Sequence, residues 1–234
     1  MGEQEYRHFV KIYNDFMNNE ERYSHREKFY YLMIKSLQNS VNRSSILSID
    51  ILAGIMGVST HSKNRAIIKE TLISMEENDL LLLYEDFAMK KRIAARDIKV
   101  ASSYYAQLVS VANRVGGFTK IDYWDIERFA MMEDKSKDLS FAIYFNIIKR
   151  IYDTETSLDY SYVTIEVIEK ETGINKKTIM SKIALLVDNK LLYCIKRSEG
   201  AEKDKNYYSR WSKRQTMIDS LKPNEVSIGK EDLL

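Results

Sequence analysis

Apolar positions in this chain fall into two blocks that match each other 111 residues apart. Ile68, Leu72 and Met75, followed by Asn78 and the run Leu80 to Tyr84, correspond to Ile179, Ile183 and Leu186, followed by Asn189 and Leu191 to Ile195. Spacing of i, i+4 and i+7 puts each trio on one side of a helix, and the apolar run after the Asn reads as a strand. A shorter helical stretch precedes each block. Ile49 to Met56 has Ser48 as its N-cap and stops at Gly57; Ile165 to Thr172 has Thr164 as its N-cap and stops at Gly173. Helix, turn, helix and strand, twice over, is the layout of a helix-turn-helix running into a β-wing.

The flanking pattern fills in the rest. Tyr6 to Met17 carries Phe9, Ile12, Tyr13, Phe16 and Met17 at helical spacing, which predicts an amphipathic helix; Arg26 to Asn39 predicts another, dense in aromatic residues. Lys90-Lys91-Arg92 lies in a polar, hairpin-like stretch, and Ile98 to Val109 favours a strand while leaving a helix open. Phe118 to Tyr123 alternates as a strand does, so the first wing is expected to be enlarged. Trp124 to Met132 reads as a helix joining the halves, and Leu139 to Tyr152 as a longer one. Tyr162-Val163 is a minimal strand, and a hairpin runs from Leu191 to Lys196 and Tyr207 to Trp211 around a loop at 198–206.

The predicted fold is mainly α with small β-wings (α+β), as two tandem winged helix-turn-helix domains. The first takes residues 1–123, the second 124–214, and 215–234 form a flexible polar tail.

Composition narrows the class. The 234 residues suffice for two small domains with their own cores, and 44% hydrophobic with 30% charged residues is a globular balance. No apolar run approaches the ~20 residues that span a bilayer, and the N-terminus has no export signal. A cytoplasmic protein associated with the nucleoid or a plasmid is expected, with no membrane partner. Cys194 is the only cysteine, which excludes intrachain disulfides and cysteine-built zinc sites. His8, His25 and His61 are scattered and no phosphate-binding glycine loop occurs, so neither an enzyme nor a cofactor is expected.

Net charge is only +2, so placement matters more than total. Residues 196–214 hold Lys196, Arg197, Lys203, Lys205, Arg210, Lys213 and Arg214 against three acids. Lys176 and Lys177 open the second long helix, as Lys63 and Arg65 open the first, where the helix dipole ordinarily favours acids. A bound polyanion would relieve that arrangement. Around the second helix, Lys177, Thr178 and Ser181 fall opposite the apolar trio, as base-reading side chains must. Candidate double-stranded DNA contacts are therefore Lys63, Asn64, Arg65 and Lys69 in the first copy, and Asn175, Lys176, Lys177, Thr178, Ser181 and Lys182 in the second. Lys203, Lys205 and Arg210 of the second wing join them. The first copy is the less regular: its turn is five residues longer, Ser59 to Lys63, and Ile67 points away from its core.

The stretch Ile55-Met56-Gly57-Val58-Ser59, then Ser62-Lys63-Asn64-Arg65 through Leu72, Met75 and Glu76-Glu77-Asn78-Asp79-Leu80, resembles the helix-turn-helix of winged-helix replication initiators from plasmids and phages of Gram-positive bacteria. The unit from Tyr162 to Trp211 looks like an ordinary bacterial winged helix. The resemblance implies sequence-specific binding at a replication origin, a homodimer, and contact with a host replication helicase or its loader. The same motifs serve transcriptional regulators of mobile elements, and winged helices also act as protein-protein subunits of segregation complexes. Both stand as alternatives.

Overall fold

The computed structural model describes residues 8–111, 116–151, 158–197 and 205–221. The chain is mixed α+β with small antiparallel sheets, and it divides after Asp138 into two compact units.

In the first unit, β1 (Phe9–Tyr13) leads into the short α1 (Asn14–Asn18) and then α2 (His25–Ser36). Next come β2 (Ser44–Leu47), α3 (Ile49–Met56), α4 (Ser62–Glu77) and β3 (Leu81–Tyr84). A short β4 (Arg92–Ile93) and a 3-10 turn at Ala95–Asp97 precede β5 (Tyr104–Leu108), β6 (Phe118–Asp122) and α5 (Tyr123–Met131). One sheet has the order β2-β5-β3-β4; a separate two-stranded ribbon joins β1 to β6.

The helix expected over Tyr6 to Met17 is a strand over Phe9–Tyr13 and helical only from Asn14 on; residues 6 and 7 lie outside the described residues. Val10 and Ile12 are buried while Phe9 and Lys11 are exposed, a period of two that the pairing with β6 selects. That pairing also takes Phe118–Asp122 out of the wing, where it was expected. The ambiguity at Ile98 to Val109 resolves as β5, paired on both sides. Helix α5 stays with the first unit because Ile126 and Phe129 are buried there, Phe129 with its ring 6.1 Å from Phe29. The division accordingly lies beyond the expected boundary at 123/124.

Two buried charged groups fix this unit. Ser24 caps α2 in a capping box with Glu27. The same Glu27 carboxylate, 3% exposed, also accepts from Ser74 Oγ at 2.9 Å and Asn78 Nδ2 at 2.8 Å at the end of α4. Lys137 is 1% exposed and donates to the carbonyls of Ile55 at 2.8 Å and Ala130 at 2.6 Å. Its ammonium thus satisfies free carbonyls near the ends of α3 and α5.

The second unit continues along α6 (Lys137–Ile148) through β7 (Tyr160–Tyr162), α7 (Ile165–Thr172), α8 (Lys176–Asp188), β8 (Leu192–Arg197) and β9 (Lys205–Arg210). Its sheet has the order β7-β9-β8. With β4 set aside, this is the order β2-β5-β3 of the first unit, so the sequence repeat is also a repeat of topology. The joints match in backbone conformation. Gly57 and Gly173 both take left-handed conformations, φ 65° and 68°, which only glycine adopts cheaply. Asp79 and Lys190 both sit at φ 56° one residue after the capping Asn. The amide of Leu80 then donates to Met75 at 2.8 Å, and that of Leu191 to Leu186 at 2.9 Å.

The first residues of the expected tail are helical, and those after Leu221 lie outside the described residues. A further helix, α9 (Arg214–Ser220), buries Met217 and Leu221 with Ile195. Trp211 is half-buried, its ring edge against Tyr193 and one face under Arg214.

Candidate nucleic-acid interface

Helix α8 has the clearest division of faces. Asn175 caps it by accepting from the Thr178 amide at 2.9 Å, and Ile179, Ile183 and Leu186 are sunk into the unit. At 100° per residue the opposite row is Lys177, Ser181, Ala184 and Asp188, of which Lys177, Ser181 and Asp188 are exposed. Thr178 and Lys182 lie half-buried on the flank. The outward row therefore opens with a lysine and a hydroxyl and stays small through Ala184.

The charge at the start of α8 needs a correction. Lys176 is not left facing an uncompensated dipole: its Nζ lies 3.1 Å from Glu166, and its amide donates to Glu169 Oε1 at 3.3 Å. Glu166 is held below its ordinary carboxylate range by a hydrogen bond from its own backbone amide and then by Lys176. Both acids come from α7, so position along α8 alone could not reveal them.

The first copy differs where it matters. Lys63 is exposed, but Asn64 is spent on the preceding turn, its Nδ2 donating to the Ser59 carbonyl at 2.9 Å and Oγ at 3.1 Å. Arg65 forks onto Asp50 of α3, Nε donating to Oδ1 at 3.2 Å and Nη2 to Oδ2 at 3.3 Å. Lys69 donates to the Ile98 carbonyl at 3.1 Å. Of the five extra residues before Arg65, Ser62 and Lys63 wind into α4 and lengthen it at its start.

The outward row of α4 is Ala66, Glu70, Ile73 and Glu77, so Glu70 stands where the second copy has Ser181. Two acids, Glu70 and Glu77, thus lie on this face. Ile67, expected to be exposed, is half-buried. The segment inserted between β3 and β5 also lies along one flank of α4: the Ala95 amide donates to Glu76 at 2.8 Å, and Arg92 lies 3.6 Å from the same carboxylate.

The hairpin of the second unit sets Arg197 and Lys196, which were not among the candidate contacts, beside the candidate Lys205. Arg197 pairs directly across from Lys205, and Lys196 from Asn206, at the outer end of the β8–β9 ladder. Only the register brings Arg197 and Lys205 together, which are apart in sequence. Lys205 also sits 6.0 Å over the Tyr162 ring. Lys203 lies outside the described residues. Arg210 is turned inward, donating to the hydroxyl of buried Tyr144 at 3.1 Å, and Lys213 lies 3.2 Å from Asp159. The positive strip therefore ends at the outer part of the hairpin and does not continue to Lys213.

Among the described residues, no three His, Cys, Asp or Glu side chains come together to hold a metal ion. No helix among them is long and apolar enough to cross a membrane. No protein-family model matches the chain, and no curated protein is recognisably similar to it in sequence.

Proposed function

We propose that this chain binds double-stranded DNA sequence-specifically as a tandem pair of winged helix-turn-helix units, in the role of a plasmid or phage replication initiator. The observation that carries the binding is the outward row of α8. Lys177 and Ser181 stand exposed over an apolar seat, with the Arg197–Lys205 pair at the outer end of the adjoining hairpin. A helix in the major groove needs such a face to reach base edges, and a cationic hairpin supplies contacts to the flanking phosphates. A homodimer and a contact with a host helicase or its loader belong to the initiator role.

The two units have unequal parts in this reading. Glu70 and Glu77 on the outer row of α4 repel phosphate, and the insert along its flank narrows access to the helix. Unit two reads the duplex; the acidic, partly apolar row of α4 favours a protein contact in unit one.

Lys177→Ala combined with Ser181→Ala tests the assignment. Against fragments selected from the source genome, the double variant loses sequence-specific affinity with its melting temperature unchanged, whereas Glu70→Ala has a far smaller effect. Unchanged affinity in a folded double variant sinks the groove assignment. Whether a plasmid carrying the bound site replicates when the chain is supplied separates initiator from regulator.

A further inference from the structure

Helix α5 of the first unit turns two large apolar side chains to solvent, Trp124 at 60% exposure and Met131 at 76%. Its other side is anchored, with Asp125, Ile126 and Phe129 buried. At 100° per residue, Trp124, Glu127, Arg128 and Met131 share one stripe about 100° wide, opposite that anchor. Tyr123 flanks the stripe. Its hydroxyl donates to the Ser36 carbonyl at 3.2 Å and holds the start of α5 against the end of α2.

The order along the stripe is apolar, acidic, basic, apolar. Glu127 is exposed, and Arg128 is half-buried with its guanidinium 4.9 Å from the centre of the Trp124 ring. A single exposed apolar residue needs no explanation. A tryptophan and a methionine two turns apart, in line with a pair of opposite charges between them, form a pattern that a partner can match.

A second α5 laid antiparallel on the first, about a two-fold axis between Glu127 and Arg128, matches it position by position. Trp124 meets Met131 of the second copy, a favourable sulfur–aromatic contact. Glu127 meets Arg128 of the second copy, and the two-fold axis makes each contact twice. A parallel arrangement would set Glu127 on Glu127 and Arg128 on Arg128, which like-charge repulsion opposes. The guanidinium has five N–H donors, so a carboxylate from the second copy adds to the contacts that Arg128 makes within its own chain. Complementarity of the stripe with itself, in charge and in apolar surface, therefore selects a second copy of this chain as its occupant.

We infer that α5 is a self-association face, pairing antiparallel with α5 of a second copy through Trp124, Glu127, Arg128 and Met131. It gives the proposed homodimer a surface and rests on that part of the reading alone. Duplex reading by α8 stands or falls without it.

The test is sedimentation equilibrium of the full chain over a range of concentrations. The parent chain should dimerise as its concentration rises. Trp124→Ala should weaken dimerisation roughly tenfold or more, as loss of a central tryptophan does. Met131→Glu changes a side chain too open to matter for folding, and should leave the chain monomeric where the parent is a dimer.

Charge exchange is the more specific arm. Glu127→Arg sets cations against each other across the axis, and Arg128→Glu sets anions, so each variant alone should be monomeric. Mixed in equal amounts, the two variants restore both ion pairs and should form a heterodimer. A mixture of folded variants that stays monomeric overturns the inference, as does a dimer that survives Met131→Glu unchanged. If either charge variant melts well below the parent, Met131→Glu alone decides. A parent chain that is monomeric throughout gives the stripe to another protein and likewise overturns the inference. Duplex titration of the same samples is read separately, so loss of the dimer and loss of DNA binding are told apart.

Discussion

Lys176 of α8 lies 3.1 Å from Glu166 of α7, and the same pairing recurs in the other unit, where Arg65 of α4 lies 3.1 Å from Asp50 of α3. Both cations sit at corresponding places of the repeat, and both acids lie in the first turn of the preceding helix. The pairs orient a cation at the start of each long helix and lower the positive field there. Side chains this exposed add little to stability, because water and salt screen them.

Glu166→Gln should consequently leave the melting temperature unchanged while raising duplex affinity at low salt. The gain should shrink as salt rises past the point where the Debye length falls below the contact distance. Identical low-salt affinities for variant and parent would remove Lys176 from the phosphate path.

Glu27 is a stability determinant of the first unit. Its buried carboxylate accepts from the Ser24 amide at 2.7 Å and Ser24 Oγ at 2.8 Å, as well as from Ser74 and Asn78. It thereby ties the start of α2 to the end of α4. Glu27→Ala leaves those donors without an acceptor and should cost about 3 kcal/mol, at the upper end for unsatisfied buried groups. Chemical denaturation reads this directly, and a loss within the error of the measurement would show that water replaces the carboxylate.

The helix pairs α3–α4 and α7–α8 were legible because their signals are local. Ser48 and Thr164 cap where their residue type says they should, and Gly57 and Gly173 stop the helices that precede them. β1 was missed because Phe9, Ile12, Phe16 and Met17 suit a helix equally well, and its partner β6 is remote in the chain. The same distance hid the site details. Lys69 is spent on Ile98 and Arg210 on Tyr144, while Arg197 and Lys205 become neighbours only through register. Met217, Ile218 and Leu221 are three apolar residues in a polar stretch, too few for a clear periodicity, yet they anchor α9.

Cys194 on β8 should be chemically quiet. Burial pushes its thiol up to about 12, so almost none is thiolate at neutral pH. Reaction with an aromatic disulfide reagent should be slow in the folded chain and become fast on denaturation. Rapid labelling of native protein would show that β8 opens readily.

Acid should act on the second unit through Glu171. Burial of this carboxyl opposes ionisation. Hydrogen bonds from Lys149 and Arg150, the charge of Lys149, and a bond from Asn146 outweigh it and hold the group at about 2 against an ordinary 4.5. The oxygens lie 2.6 Å from both cations and 2.9 Å from Asn146 Nδ2, so the cluster joins α6 and the residues after it to α7. The folded state binds this proton more weakly than the unfolded chain does. Its contribution is therefore complete above the unfolded value and is lost as pH falls from about 4.5 towards 2. Partial exposure of the carboxylate keeps that contribution modest. Glu171→Gln should lower the melting temperature at pH 7 and flatten its dependence on pH across that acid window. A variant whose melting curve still tracks the parent's through the window would mean that other carboxylates govern the acid transition.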